Sequence, residues 1–544
     1  MKAEEFYHEK GGIMSYLLMC TIIILLCVLV SQLTHRVGVP VLLTFIVLGM
    51  LFGENGIFKI SFNNYILSEN ICTIALIFIM FYGGFGTNWN QAKPIAIKAS
   101  VLASLGVVLT AGLTGAVCIL FFKMPMLDAM LLGAILGSTD AASVFSVLRS
   151  KKLGLRENTA SLLEVESGSN DPIAYMLTMI LLSIISGRVG RGELLAMMVK
   201  QLVFGISFGI ILALLFRVFL KRYRFPVPGF DMAFFIGIAL LAYALPTSVG
   251  GNGYLSVYIV GIVLGNSHIK NKKSLVHFFD GFTSLMQMLI FFLLGLLATP
   301  SHIPQILLPA VIIALLLTFF VRPLVVAACF APFRCSLRQQ MLVSFAGLRG
   351  AASIVFAIMA TVHEAQTPGD LFHMVFCIVL LSITFQGSLL APVARWLGMC
   401  DKNIDDAKSF SDYAEAEKLY FINLKIEEGH PWAGKTLRDI NLPPDILVVM
   451  LIRDSENILQ GGDTEFQLFD SVILSAPAYQ GEVGLVLQEQ RIEENSRWIG
   501  KTIAAFSPCK EELVVMILRG EEMIIPKGDT QIKAADVLVI SQKH

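Results

Sequence analysis

Nine consecutive residues, Glu164-Val165-Glu166-Ser167-Gly168-Ser169-Asn170-Asp171-Pro172, hold three carboxylates, two hydroxyls and an amide inside an otherwise apolar stretch. On a helix turning 100° per residue, Glu166 and Asn170 fall within 40° of one another, and Ser167 and Asp171 repeat that spacing one residue further on. Pro172 has no N–H, so the carbonyl four residues back, at Gly168, loses its helical partner. Carboxylate, hydroxyl and free carbonyl oxygens suit a hard monovalent cation that has shed its water. A carboxylate there can also hold a proton, and the two then compete for the same oxygens. Competition at one site, with access alternating between sides, is sufficient for exchange.

Two further clusters carry ionisable groups at comparable depth, where each is expensive to bury. Gly137-Ser138-Thr139-Asp140 follows Gly133, a composition suited to a helix that breaks and turns backbone carbonyls toward a cavity. Asp140 can cap the following half-helix, bind the ion, or do both. Gly347-Leu348-Arg349-Gly350-Ala351 places an arginine between glycines that let other backbone approach. At this depth Arg349 calls for a carboxylate partner, and Glu166 is the expected one. Arg322 stands nearer a helix end and is expected to snorkel to the surface. Glu164 sits close to a loop, and its role is left open.

The elements that hold these groups follow from composition. Of 544 residues, 55% are hydrophobic and only 15% charged, against roughly 25% charged in ordinary soluble chains. Apolar runs of spanning length fall near 13–33, 39–53, 70–87, 96–122, 126–148, 158–187, 199–220, 232–247, 254–266, 277–298, 306–330, 340–361 and 371–397. The prediction is an all-α, polytopic membrane domain of about thirteen helices. No small-residue cleavage site follows the first run, so it reads as a spanning helix and not a removed leader. With the N-terminus outside, cytoplasmic loops carry sixteen Lys and Arg against five on the other face, and an odd helix count leaves the C-terminus inside. Gly-interrupted spans in both halves are the pointer to inverted repeats crossing at the midplane.

Lys+Arg and Asp+Glu both total 41, which argues against nucleic acid as a partner. The nine cysteines include no Cys-x-x-Cys pair, so free thiols are expected, without a zinc or redox site. After residue 397 the chain turns polar and repeats itself. Trp432, Lys435, Thr436, Leu447–Met450, Arg453, Asp463 and Asp470 recur as Trp498, Lys501, Thr502, Leu513–Met516, Arg519, Asp529 and Asp536, always 66 residues on. Such self-similarity means two copies of one unit, read as tandem α+β modules able to pair as a pseudo-dimer. Neither copy has a Gly-x-Gly-x-x-Gly after a strand, so no dinucleotide site is indicated. The expected division is a 1–12 extracytoplasmic tail, a 13–397 membrane domain, a 398–420 linker, and modules at 421–480 and 481–544.

The three membrane motifs, with Gly253–Gly261, resemble those of the monovalent cation:proton antiporter-1 family of NhaP type over residues 13–397. The tail is similar to RCK C-terminal (TrkA-C) modules, and the layout resembles the NhaP2/CvrA-like potassium/proton antiporters. The resemblance implies the NhaA/NhaP-like fold with discontinuous helices, a homodimer in the inner (cytoplasmic) membrane, and an elevator motion of a six-helix core. It implies that Asp171 carries the cation or proton, with oxygens from Ser167 and the Thr139 backbone. Glu166 and Asn170 are then structural, with Glu166 paired to Arg349, and Asn-Asp at 170–171 implies one proton per cation. Many relatives have an acid before Gly83-Gly84, but here Tyr82 stands there, so that helix supplies no implied ligand. The nucleotide-binding half of full RCK proteins is absent, so NAD regulation is not implied, although a small, nucleotide-like ligand could bind the modules. Neither an enzyme nor a cofactor is expected, only K+ or Na+ and H+ as substrates. A ligand-gated cation channel would call for a carbonyl-rich filter such as Thr-Val-Gly-Tyr-Gly, which the sequence lacks.

Overall fold

The computed structural model describes residues 18, 21–32, 40–60, 62–151, 153–187, 190–223, 229–267, 269, 272–363 and 370–401, and in the tail 419–428, 430–440, 442, 446–453, 456–458, 463–477, 485–493, 496–505, 512–519, 522–524 and 526–543. The expected N-terminal tail and most of the expected linker lie outside them. The chain divides into two compact units, 1–416 and 417–544.

In the first unit each of the thirteen apolar stretches holds a helix. Eight helices are long and apolar enough to cross a membrane, and five shorter apolar ones cover the other stretches. With two more, α6 and α13, that share the fifth and twelfth stretches, they are in chain order α1 (Thr21–Gln32), α2 (Val41–Phe52), α3 (Tyr65–Gly86), α4 (Ala96–Phe122), α5 (Met126–Ile135), α6 (Ala141–Ser150), α7 (Thr159–Ile185), α8 (Arg191–Arg222), α9 (Phe230–Ser248), α10 (Gly253–Gly265), α11 (Lys272–Leu297), α12 (Ile303–Phe333), α13 (Leu337–Phe345), α14 (Ala351–Val362) and α15 (Leu371–Trp396). Leu, Ile, Val and Phe remain exposed along α4, α8 and α9, as lipid-facing surfaces require, because lipid is as apolar as the core.

The fifth and twelfth stretches break as expected. Residues 136–140 separate α5 from α6, and 346–350 separate α13 from α14. The breaks touch, since the Asp140 N–H donates to the Leu348 carbonyl at 2.8 Å. A Cβ on Gly350 would fall on the Asp140 carboxylate, so only glycine lets these segments cross. The long helices α12 and α15 each widen into a π turn, at Leu317–Val321 and Ser382–Gln386. The first delivers Arg322 and the second Ser382 to the crossing region, a use typical of such bulges.

The first unit does not stop at the last helix. Strand β1 (Gly154–Leu155) pairs antiparallel with β2 (Cys400–Asp401), so the start of the expected linker is fastened to the loop before α7.

In the second unit, β3 (Leu419–Lys425), β4 (Leu447–Arg453), β5 (Glu456–Ile458) and β6 (Ser471–Pro477) form one antiparallel sheet in the order β3-β6-β4-β5. A second sheet, of β7 (Leu485–Arg491), β8 (Glu512–Arg519), β9 (Glu522–Ile524) and β10 (Val537–Lys543), repeats that order. The 66-residue repeat is carried into the details. Bulges fall at equivalent positions, at Val449 in β4 and Val515 in β8, and positive φ occurs at Gly434 and Gly500 and at Phe469 and Ala535. Helix among the described tail residues is limited to the 3-10 turn Leu437–Asp439, so these residues carry the β half of the α+β reading.

Candidate functional site

Breaking a helix in the membrane exposes carbonyls at one new end and N–H groups at the other. The sequence answers each with a charge of opposite sign. Arg349, 1% exposed, donates from Nη1 to the Ser138 carbonyl at 2.9 Å and to the Leu136 carbonyl. Ser353 Oγ takes the Ile135 carbonyl at 2.9 Å. At the other end the Asp140 carboxylate accepts from the Ser143 N–H at 3.2 Å and from the Ser143 hydroxyl. Asp140 therefore acts as a cap on α6, and it also lines the neighbouring cavity.

The expected Glu166–Arg349 pair does not form. Glu166 is bonded instead to Arg322, Nη2 to Oε1 at 2.9 Å, with side chains 2% and 3% exposed. Arg322 thus does not snorkel. Twelve residues separate it from Arg334 in the following loop, about 18 Å of helix, which is too far for a side chain to reach water easily. That spacing was present in the sequence. Arg349 is held instead through its Nη1 by the carbonyls freed by the α5 break, a partner that counting charges alone overlooks, while its Nε and Nη2 make no hydrogen bond among the described residues.

Glu166 also accepts from Asn170 Nδ2 at 3.1 Å and faces the Thr139 hydroxyl at 3.5 Å. Asn170 in turn donates to Thr139 Oγ1 at 2.6 Å. Ser167, one turn-face away, donates to the Thr139 carbonyl at 2.8 Å and accepts the Ala141 N–H at 3.0 Å. The two stripes read on α7 therefore divide their work. Glu166 and Asn170 grip the Thr139 side chain, Asn170 Oδ1 also accepting the Thr139 N–H at 3.4 Å, while Ser167 bonds the broken backbone on both sides of Asp140. Asp171 receives the hydroxyl of Ser138, a serine inside a motif the sequence singled out but not itself chosen.

A cavity of about 280 Å³ reaches this cluster. Four carboxylates line it, Asp140, Glu164, Asp171 and Asp280, and no Lys, Arg or His does among the described residues. Asp171 is the last residue of α7 to line it, and on α3 the lining runs from Leu76 to Gly86. The cavity therefore extends from the crossing toward one set of helix ends only. Asp280, which sequence reading missed, accepts from the Tyr82 hydroxyl at 3.1 Å. Tyr82, expected to supply no ligand, faces an acid supplied by α11. Gly168 is pressed against the Tyr258 ring, and the Pro172 carbonyl is taken by Asn252 Nδ2 at 2.7 Å.

Crossed broken helices around a half-buried aspartate define an ion-coupled secondary transporter. The transmembrane sodium/hydrogen exchanger family matches residues 21–396, and TrkA-C domains match 422–479 and 487–543; the chain belongs to the sodium/hydrogen exchanger family and is a cation:proton antiporter. It is 34% identical over 466 residues to the "K(+)/H(+) antiporter NhaP" of Alkalimonas amylolytica, covering 84% of this chain and 80% of that one. It is 30% identical over 540 residues to the "K(+)/H(+) antiporter NhaP2" of Shewanella baltica (strain OS223), covering 98% and 89%. The sodium proton antiporter MjNhaP1 from Methanocaldococcus jannaschii shares the fold with a TM-score of 0.62 at 22% identity, over 69% of this chain and 97% of that one.

Proposed function

We propose that the chain exchanges one monovalent cation, K+ ahead of Na+, for one proton, and that both bind in turn at the Asp171 carboxylate. The observation that carries this is the placement of Asp171 at the blind end of an acidic cavity, held by Ser138 against the crossed helix breaks. A cation entering there meets the carboxylate, the Ser167 hydroxyl and the Thr139 carbonyl, which keeps a second lone pair after accepting from Ser167. Asp140 adds negative charge while holding α6. Protonation of Asp171 removes its charge and with it the attraction that held the cation there. An amide, Asn170, stands beside Asp171 in place of a second carboxylate, and Glu166 is tied to Arg322, which supports an electroneutral reaction.

K+ is favoured by the names of the relatives that match most of the chain. The excess of Lys and Arg in the loops at the cavity's open helix ends supports a reading with that face and the tail on the cytoplasmic side, the chain being a homodimer in the inner membrane. The tail modules gate exchange through a small ligand. Asp171→Asn tests the assignment in proteoliposomes. K+ or Na+ should dequench an interior pH dye with the natural chain and fail to do so with the variant. Retained exchange would refute it.

A further inference from the structure

Past the end of α11, on the side away from the cavity mouth, three ligand-type side chains converge outside the exchange site. Their donor atoms, one each from His302, Asp370 and His373, lie within 4.8 Å of one another. His302 Nδ1 stands 3.1 Å from Asp370 Oδ2, and His373 Nδ1 contacts the same oxygen. Asp370 is the N-cap of α15, fixed by the His373 N–H at 3.1 Å, and His302 is the N-cap of α12. We propose that these three side chains bind a divalent transition metal ion of the Zn2+ class, through the two imidazole Nδ1 atoms and one carboxylate oxygen.

Two imidazoles and a carboxylate are a familiar donor set for Zn2+, which holds them at about 2.0–2.2 Å and so about 3.3 Å from each other. The observed spacing needs only a small adjustment to reach that. His302, its side chain 59% exposed, can make the adjustment and gives the ion a way in, while buried His373 and half-buried Asp370 form a fixed floor.

The proton positions give this site a consequence. The Thr299 N–H donates to His373 Nε2 at 2.8 Å, so the metal-free His373 carries its proton on Nδ1, where it donates to Asp370. A metal at Nδ1 requires that proton to sit on Nε2 instead. The His302 proton moves to its own Nε2 in the same way. No proton leaves the protein and no electrons move, but the Thr299 N–H loses its acceptor. Thr299 lies two residues beyond Leu297, the last residue of α11. Metal binding thus frees the segment that joins α11, whose residues Asp280 and Gln287 line the cavity, to α12.

The test uses the full-length, tag-free chain in detergent, titrated with Zn2+ by calorimetry and with Co2+ by visible absorption. One ion per chain is expected, with affinity falling by more than about 100-fold in His302→Ala and in Asp370→Asn, beyond the range for an outer-sphere partner. His302 is exposed, so its variant keeps the melting temperature of the natural chain and isolates the ligand effect. Zn2+ should also speed deuterium exchange at the Thr299 amide. Equal Zn2+ binding by the natural chain and His302→Ala overturns the site. An unchanged Thr299 amide with Zn2+ bound overturns the role given to His373.

Discussion

The membrane unit and the tail both bury carboxylates against arginine, and they do so in opposite ways. In the tail, Arg453 forks onto Asp470 through Nε at 2.8 Å and Nη2 at 2.7 Å, and Arg519 repeats this on Asp536 at 2.8 Å through both nitrogens. Each arginine keeps 26% of its side chain exposed, and each pair is seventeen residues apart in sequence. In the membrane unit Arg322 makes one contact to Glu166, both ends are sealed from water, and the partners are 156 residues apart. Arg349 forms no ion pair among the described residues and serves backbone carbonyls. The tail uses charge to brace a local turn, whereas the membrane unit uses it to hold helices that have come apart.

This contrast predicts unequal costs, the largest in the membrane. Glu166→Gln leaves the Arg322 charge buried without its counter-ion and should cost about 3–5 kcal/mol, read as a collapse of thermal stability in detergent. The double variant Glu166→Gln/Arg322→Met should recover much of that loss, and failure to recover would mean the pair is not the coupled unit described. Gly350→Ala should be comparably severe, because the added carbon meets the Asp140 carboxylate. Its expected signature is lost exchange with a lowered melting temperature.

Asp470→Asn should cost less, about 1–3 kcal/mol, since Arg453 can turn to water. Faster deuterium exchange confined to β4 and β6 would report it. Burial pushes the Asp470 and Asp536 carboxyls up, but hydrogen bonds from Arg453 and Arg519 and from backbone N–H groups outweigh this and hold both below their usual value. A depressed carboxyl stabilises fully above its unfolded value, about 3.9, and the contribution is lost as pH falls through the folded value. The tail should therefore hold its protection down to about pH 4 and lose it below, and Asp470→Asn should flatten that dependence in the first module. The smallest effect is Gly112→Ala on the outer face of α4, where nothing lies within 4 Å. It should change the melting temperature slightly, upward by up to about 1 kcal/mol equivalent.

The same contrast explains what was legible in the sequence. The 66-residue repeat exposed the tail's plan because each motif is local and occurs twice. The helix breaks were legible because Gly133, Gly137, Gly347 and Gly350 interrupt apolar runs beside Asp140 and Arg349. The Glu166 partner was not, because composition says that a buried arginine needs negative charge but not which of two arginines lies across the fold. The freed carbonyls of Leu136 and Ser138 carry no side-chain signal, so Arg349 seemed short of a partner. Asp280 went unnoticed because a single acid in α11 resembles a polar stripe until Tyr82 and the cavity are seen beside it.

The central claim is that cation and proton take turns on Asp171. The direct measurement is the initial rate of K+-driven exchange in proteoliposomes as a function of K+ at a series of pH values. Competition for one carboxylate predicts that, on the acid side, the K+ concentration for half-maximal rate rises about tenfold per pH unit while the maximal rate holds. A maximal rate that falls with pH at constant half-saturation would place the proton on a different group and contradict the account.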